Sequence, residues 1–153
     1  MELAPPHVAY QKIMADQFDY LTADLDSPLA MCKTDLTAMQ FADNTFDVIT
    51  CFHVLEHIPD DMKAMQELRR CLKSDGVALI NVPFRTDISQ TVEFNEPDPL
   101  LSMHVRDYGT DVIVRLVKAG FDVEVVECLK YIPPTLAEQA NMGGGLLLFV
   151  CRK

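Results

Sequence analysis

Apolar residues recur with two different periods along this chain, and the way those periods alternate predicts its elements. Phe46–Cys51 (FDVITC) and Val77–Val82 (VALINV) are short, nearly continuous apolar runs, as strands buried on both faces require. Between them Met62, Met65, Leu68 and Leu72 repeat at helical spacing, which predicts an amphipathic helix. Asp60, behind Pro59, is placed to cap that helix, and Gly76 stands where it would stop. A second helix is expected over Thr110–Lys118, with Val112, Ile113, Leu116 and Val117 inward and Gly120 as its stop. Phe121–Cys128 and Leu146–Cys151 read as two further strands. Upstream, Phe18–Ala23 alternates like a strand ending at Asp24-Leu25-Asp26, and Met31–Thr34 is a short strand candidate ending at Asp35. Pro5 and Pro6 can open a first helix reaching Ala15, because proline is tolerated in a first turn.

Strand, helix, strand in this order is half of an open α/β sheet, whose ligand crevice lies at the carboxyl ends of its strands. Arg85–Met103 has little periodicity and reads as a loop over that crevice. Gly143-Gly144-Gly145 is followed by no Lys-Ser/Thr pair, so it reads as a flexible approach to the last strand rather than a phosphate loop. With 153 residues, a single domain over 1–153 is expected.

Charge removes several functions. The net charge of −10 opposes phosphate backbones and anionic membrane surfaces, so neither nucleic acid nor membrane is an expected partner. Arg69, Arg70 and Lys73, interspersed with Glu67, read as a solvated helix face. No apolar stretch approaches the roughly 18–20 residues a bilayer span needs. The opening MELAPPH lacks a signal peptide's basic and apolar regions, so a cytoplasmic protein is expected. The five cysteines form no CxxC pair and read as buried free thiols.

The succession FDVI, HVLEH, a helix ending in LKSDG and then ALINVP resembles the class I S-adenosylmethionine-dependent methyltransferases, most closely the subgroup acting on small metabolites and sugars. The resemblance implies a Rossmann-like, mostly parallel sheet with helices on both faces. Its last strand would run antiparallel near the C-terminal edge, between its two predecessors. No glycine precedes Gly76, whereas the family opens with a strand, an acidic residue and a glycine-rich turn. Met1–Pro6 matches that stretch, with Glu2 at the acidic position and Ala4 and Pro6 at glycine positions. The first strand is therefore truncated, and a second copy or another segment is expected to cover the gap, since unpaired backbone groups cost free energy.

The resemblance also implies site residues. S-adenosylmethionine would be held by Glu2, Ala4, Asp24, Leu25, Asp35, Leu36, Phe52 and His53. Asp24 would take the ribose hydroxyls, and Asp35 with Leu36 the adenine. His53, His57 and His104 are the candidate bases, His104 because an imidazole titrates near neutral pH. Phe84, Arg106 and Tyr108 would meet a small-molecule acceptor, Arg106 as a clamp on an anionic group. His53, Glu56 and His57 also have H-x-x-E-H spacing, which can gather a divalent metal. Ubiquinone-pathway and small-RNA methyltransferases similar to this stretch carry Glu at the first position, and some use a metal. Hydrogen-bonding structure is the competing role, and no metal is expected. The implied activity is methyl transfer to an oxygen or nitrogen of a small polar acceptor. The alternative is a degenerate methyltransferase-fold binding domain, favoured by the missing glycines and by Ser74-Asp75-Gly76 in place of the usual Pro-Gly-Gly turn.

Overall fold

A computed structural model describes residues 1–5, 8–133, 135 and 147–153. The strands are β1 (Glu2–Leu3), β2 (Thr22–Asp24), β3 (Cys32–Lys33), β4 (Phe46–Phe52), β5 (Leu72–Asn81), β6 (Val92–Asp98), β7 (His104–Asp107), β8 (Asp122–Glu127) and β9 (Leu147–Arg152). The helices are α1 (Val8–Ala15), α2 (Asp61–Cys71) and α3 (Val112–Lys118), and a 3₁₀ turn spans Leu55–His57. Seven strands make one sheet in the order β3-β2-β1-β4-β5-β9-β8. β1 to β5 pair in parallel, and β9 runs antiparallel between β5 and β8. This is the expected Rossmann-like sheet with its reversed strand near the C-terminal edge. The Gly143–Gly145 run, Pro6 and Leu146 lie outside the described residues.

Ile49, Cys51, Ala78, Ile80, Phe149 and Cys151 form the sheet's buried centre, covered by Ala64, Met65, Leu68 and Cys71 of α2 and Val112 and Leu116 of α3. Each fully buried Leu or Ile side chain contributes roughly 1.5–3 kcal/mol. α2 packs on β5, α3 on β8, and the two helices touch. Asp60 caps α2 as expected, its carboxylate accepting from the Lys63 N–H at 3.0 Å. Among the described residues no helix is long and apolar enough to cross a membrane. All five cysteines are free.

Several elements depart from expectation. Gly76 does not stop α2. The chain leaves the helix at Leu72 straight into β5, and the β4–β5 register slips between Phe46↔Leu72 and Val48↔Val77. Gly76 lies in that bulge, where a Cβ would come within 2.9 Å of the Asp47 carbonyl oxygen. Close backbone approach, not helix termination, requires glycine here. Gly120 does follow α3, at φ +101°. Val117, expected inward, is exposed. Of Phe18–Ala23 only Thr22 and Ala23 enter β2, and Phe18 turns outward. Arg85–Met103 is not a plain loop: it contains β6, which pairs antiparallel with β7 in a separate two-stranded sheet. β1 is indeed short, pairing with β4 only at Glu2↔Thr50 and Leu3↔Cys51.

Candidate functional site

A cleft of about 510 Å³ opens at the carboxyl ends of the parallel strands. Ala4, Asp24, Leu25, Asp35, Leu36, His53 and His57 all line it, together with Thr37, Pro59 and Asp60. Ala4 follows β1 at φ +49°, a left-handed conformation that glycine adopts without cost and alanine does not. A small residue is needed because the backbone itself forms the wall. Leu3, Ala23 and Leu36 supply buried apolar surface, whereas Leu25 is half exposed.

The two strand-end carboxylates are held locally. Asp24 Oδ1 accepts from the N–H groups of Asp26 (2.8 Å) and Ser27 (2.7 Å), an Asx turn that fixes the side chain. Asp35 Oδ1 accepts from the Thr37 N–H and hydroxyl, both at 2.8 Å. These donors hold the Asp35 carboxyl below its usual range, so it is anionic at neutral pH. Neighbouring strands β2 and β3 thus present two fixed acceptors along one cleft. Two such acceptors beside Leu36 suit a ligand carrying a vicinal diol and an apolar ring with an exocyclic donor.

His53 ends β4 at φ +55°, with its N–H donating to the Asn81 carbonyl at 3.0 Å. The turn returns the chain through the 3₁₀ segment, so His53 and His57 both face the cleft. His104 does not line it. Its ring packs edge-to-face on His57, with centroids 4.8 Å apart and an interplanar angle of 83°.

Other expected site residues are elsewhere. Arg106 is 2% exposed and does not line the cleft. Its Nη1 donates to the Leu55 and Ile58 carbonyls (2.9 and 2.6 Å), Nη2 to Pro59 (2.8 Å) and Nε to Glu93 (2.9 Å). A guanidinium consumed by four protein acceptors cannot clamp a substrate anion; it ties β7 to the 3₁₀ turn. Tyr108 is fully buried and donates to Asp61 Oδ2 at 2.7 Å. Burial and the neighbouring Asp61 push its hydroxyl pKa far up. Asp61 in turn binds Arg115 at 2.6 Å. Phe84 packs on Phe149, with centroids 5.7 Å apart. Phe52 stands beside the cleft without lining it. Glu2 is buried and accepts from the Tyr20 hydroxyl, on the side of a different groove.

Two features were missed by sequence reasoning. Thr37, which orients Asp35, had a local signal in its i+2 position. The partners of Arg70 outside its helix had none. Far from being a solvated face, Arg70 donates to the Phe41 and Met39 carbonyls and to Asp43. Glu67 accepts from the Met39 N–H at 2.9 Å. The pair locks the segment after β3 onto α2. Arg69 likewise donates to the Gly120 carbonyl, and Lys73 to Asp47.

Known proteins match this arrangement. A family model described as a methyltransferase domain matches residues 7–80. A probable S-adenosylmethionine-dependent methyltransferase of Mycobacterium tuberculosis is 26% identical over 145 residues, covering 92% of this chain and 51% of its own length. The chain therefore spans about half the length of that relative. A ubiquinone biosynthesis O-methyltransferase of Pasteurella multocida is 32% identical over 80 residues, covering 52% of this chain and 28% of its own. Among solved structures, a SAM dependent methyltransferase from Archaeoglobus fulgidus superposes with a TM-score of 0.65 at 13% identity, covering 99% of this chain and 84% of that one. A [4+2]-cyclase superposes with a TM-score of 0.64 at 16% identity, covering 91% and 69%. Likeness at these identities speaks for the fold alone.

Proposed function

Because this chain belongs to the class I S-adenosylmethionine-dependent methyltransferase family, we propose that it transfers a methyl group from S-adenosylmethionine to an oxygen or nitrogen of a small polar acceptor. The observation that carries this is the convergence of Asp24, Asp35, Leu36 and the positive-φ Ala4 on one cleft. Those residues fit the cofactor: Asp24 accepts from the ribose hydroxyls, Asp35 from the adenine amino group, and Leu36 packs on the ring. When bound, the cofactor supplies an already activated methyl group, so the protein's work is alignment and exclusion of water. His53 and His57 line the same cleft, and either imidazole would take the acceptor's proton. His104, packed behind His57, orients that ring.

Calorimetry with S-adenosylhomocysteine tests the proposal. Saturable binding is expected, and absence of binding at millimolar ligand to folded protein overturns it. The rival function is a cofactor-free binding domain, supported by alanine in place of glycine at the positive-φ position after β1 and by a fold shared with a protein named for cyclisation. We also propose that another segment or a second copy pairs with the edge of β4 at Phe46 and Asp47, beyond the Val48 carbonyl that the Met1 amine occupies.

A further inference from the structure

The cleft is acidic, and the cations near it are already engaged. Asp24, Asp35 and Asp60 line it, and none of its described lining residues is lysine or arginine. The positions outside the described residues carry no lysine or arginine in sequence either. Arg106, expected to clamp an anion, is consumed by the Leu55, Ile58 and Pro59 carbonyls and by Glu93. Arg115 is divided between Asp61 and Glu93. Arg85, shortly after β5, is divided between Asp87 and Asp107. Lys63 adds to the Thr37 donors in holding the Asp35 carboxyl low, and so serves the adenine end of the cleft. Behind His53, the Glu56 carboxylate is 1% exposed, has no hydrogen-bond partner on either oxygen and lies 3.4 Å from His53 Nδ1.

An acceptor bearing a carboxylate or phosphate would therefore meet carboxylates, and its charge would find no unpaired cation among the described residues. Like charges brought together out of bulk water repel more strongly than in it, and a buried charge without a partner is costly. A cleft walled by one sign of charge instead concentrates ligands of the opposite sign. We propose that the acceptor carries a protonated amine and no carboxylate, phosphate or sulfate group. Resting on the methyl-transfer proposal, this narrows the acceptor to small organic cations. It also reverses what residue types alone suggested. Arg106 marks the site for an anion only until its hydrogen bonds are counted, and once they are taken the walls act by exclusion as much as by attraction. Asp60 contributes directly: one oxygen caps α2 through the Lys63 N–H, and its charge stays on the cleft wall.

The test is titration of the protein, saturated with S-adenosylhomocysteine, with tyramine and with 3-(4-hydroxyphenyl)propanoate. The two probes share a phenol and differ in the sign of the side-chain charge. Proton–carbon correlation spectra of the imidazoles report entry beside His53 and His57. Tyramine is expected to shift those signals at a concentration about tenfold or more below the propanoate, the scale of one partly screened charge contact. Raising the ionic strength should narrow the gap. Asp60→Asn keeps a capping side chain and removes one carboxylate from the wall, so it should narrow the gap severalfold with the far-ultraviolet circular dichroism retained. Arg85→Ala should leave the propanoate no weaker. Equal or tighter binding of the propanoate overturns the proposal, as does the absence of any shift with tyramine at millimolar concentration. A gap unmoved by both salt and Asp60→Asn overturns it too, because shape and not charge would then set the preference. Weaker propanoate binding in Arg85→Ala would make Arg85 an anion site, with the same consequence. Saturable S-adenosylhomocysteine binding with the propanoate preferred removes this inference alone, whereas loss of S-adenosylhomocysteine binding removes the methyl-transfer proposal.

Discussion

The floor of the cleft and the wall behind it are held in opposite ways. On the floor, Asp24 ends a three-residue strand and Asp35 follows a two-residue one, and both are fixed by donors within three positions of themselves. In the wall, Arg106, Tyr108 and Arg115 reach Leu55–Asp61 across 47 to 54 residues of sequence, and the first two are buried. Short-range fixation leaves the floor's acceptors accessible to a ligand. Long-range fixation consumes the wall's polar groups in building the scaffold. A charged residue near a cleft is thus a binding group or a brace according to what already occupies its hydrogen bonds.

The largest effect should come from breaking the wall. Arg106→Ala strands the Leu55, Ile58 and Pro59 carbonyls and leaves Asp61 and Glu93 short of a cation. A loss of about 3–5 kcal/mol of stability is expected, as for removing one partner of a buried ion pair. Arg106→Lys should rescue little, because an ammonium cannot reach the same set of acceptors in one plane. Urea denaturation reads both. A variant that stays as stable as wild type yet loses acceptor binding would return Arg106 to the substrate.

The floor should respond in binding instead. Asp24→Asn keeps an oxygen for the Asp26 and Ser27 N–H groups but removes the charge offered to a ribose diol. S-adenosylhomocysteine binding should weaken by about 1.5–3 kcal/mol, the range for hydrogen bonds to a charged group, with the urea midpoint nearly unchanged. Asp35→Asn should weaken it less, since water can partly replace one adenine contact. An unchanged affinity in Asp24→Asn, or a large fall in stability, would erase the distinction between floor and wall.

The same contrast explains what could be read in the sequence. The succession of strands and the capped helix followed from local periodicity and from the Asp60 cap, and the mostly parallel sheet with its reversed final strand from family resemblance. Asp24, Asp35 and Leu36 were singled out by family resemblance at strand ends that local pattern locates, and all three line the cleft. Arg106 and Tyr108 were legible only as residue types. That they face inward depends on β6 pairing with β7, and the apolar period of Arg85–Met103 is too weak to show that strand. The Arg70 latch failed for a like reason: its partners at Met39, Phe41 and Asp43 lie about 30 positions away, and nothing local marks them. Gly76 was read as a helix stop because the neighbouring β4 backbone that excludes a side chain there is invisible in sequence.

A smaller effect sharpens the comparison at the floor's first strand. Ala4 is held at φ +49° with its N–H donating to the Ala23 carbonyl at 3.1 Å. A non-glycine residue in this region costs about 1–2 kcal/mol, partly offset by the greater unfolded freedom of glycine. Ala4→Gly should therefore stabilise the domain by roughly 0.5–1 kcal/mol while enlarging the cleft, with cofactor affinity equal or better. Destabilisation would mean the Ala4 methyl group packs against the sheet rather than merely tolerating its position.

The smallest effect concerns the latch joining floor to helix, and it is read through pH. Hydrogen bonds from Arg70, with a further one from the Met39 N–H, hold the Glu67 carboxyl below its ordinary range despite partial burial. The folded state therefore favours the anion, and the unfolded chain takes up the proton first as pH falls. The contribution is fully present above the ordinary Glu pKa of about 4.3 and disappears as pH drops through the lower folded value. Because Arg70 is 30% exposed and Glu67 19%, solvent screening keeps it to a surface-pair scale, below about 1 kcal/mol. Asp35, Asp47 and Asp87 are lowered as well, so wild type should lose stability progressively below about pH 4–5 from several groups together. Glu67→Gln should be slightly less stable at neutral pH and show a shallower acid limb, the two curves converging near pH 3. Parallel curves would show that Glu67 acts by shape and hydrogen bonding alone, making this latch a neutral brace like the wall rather than a charged one.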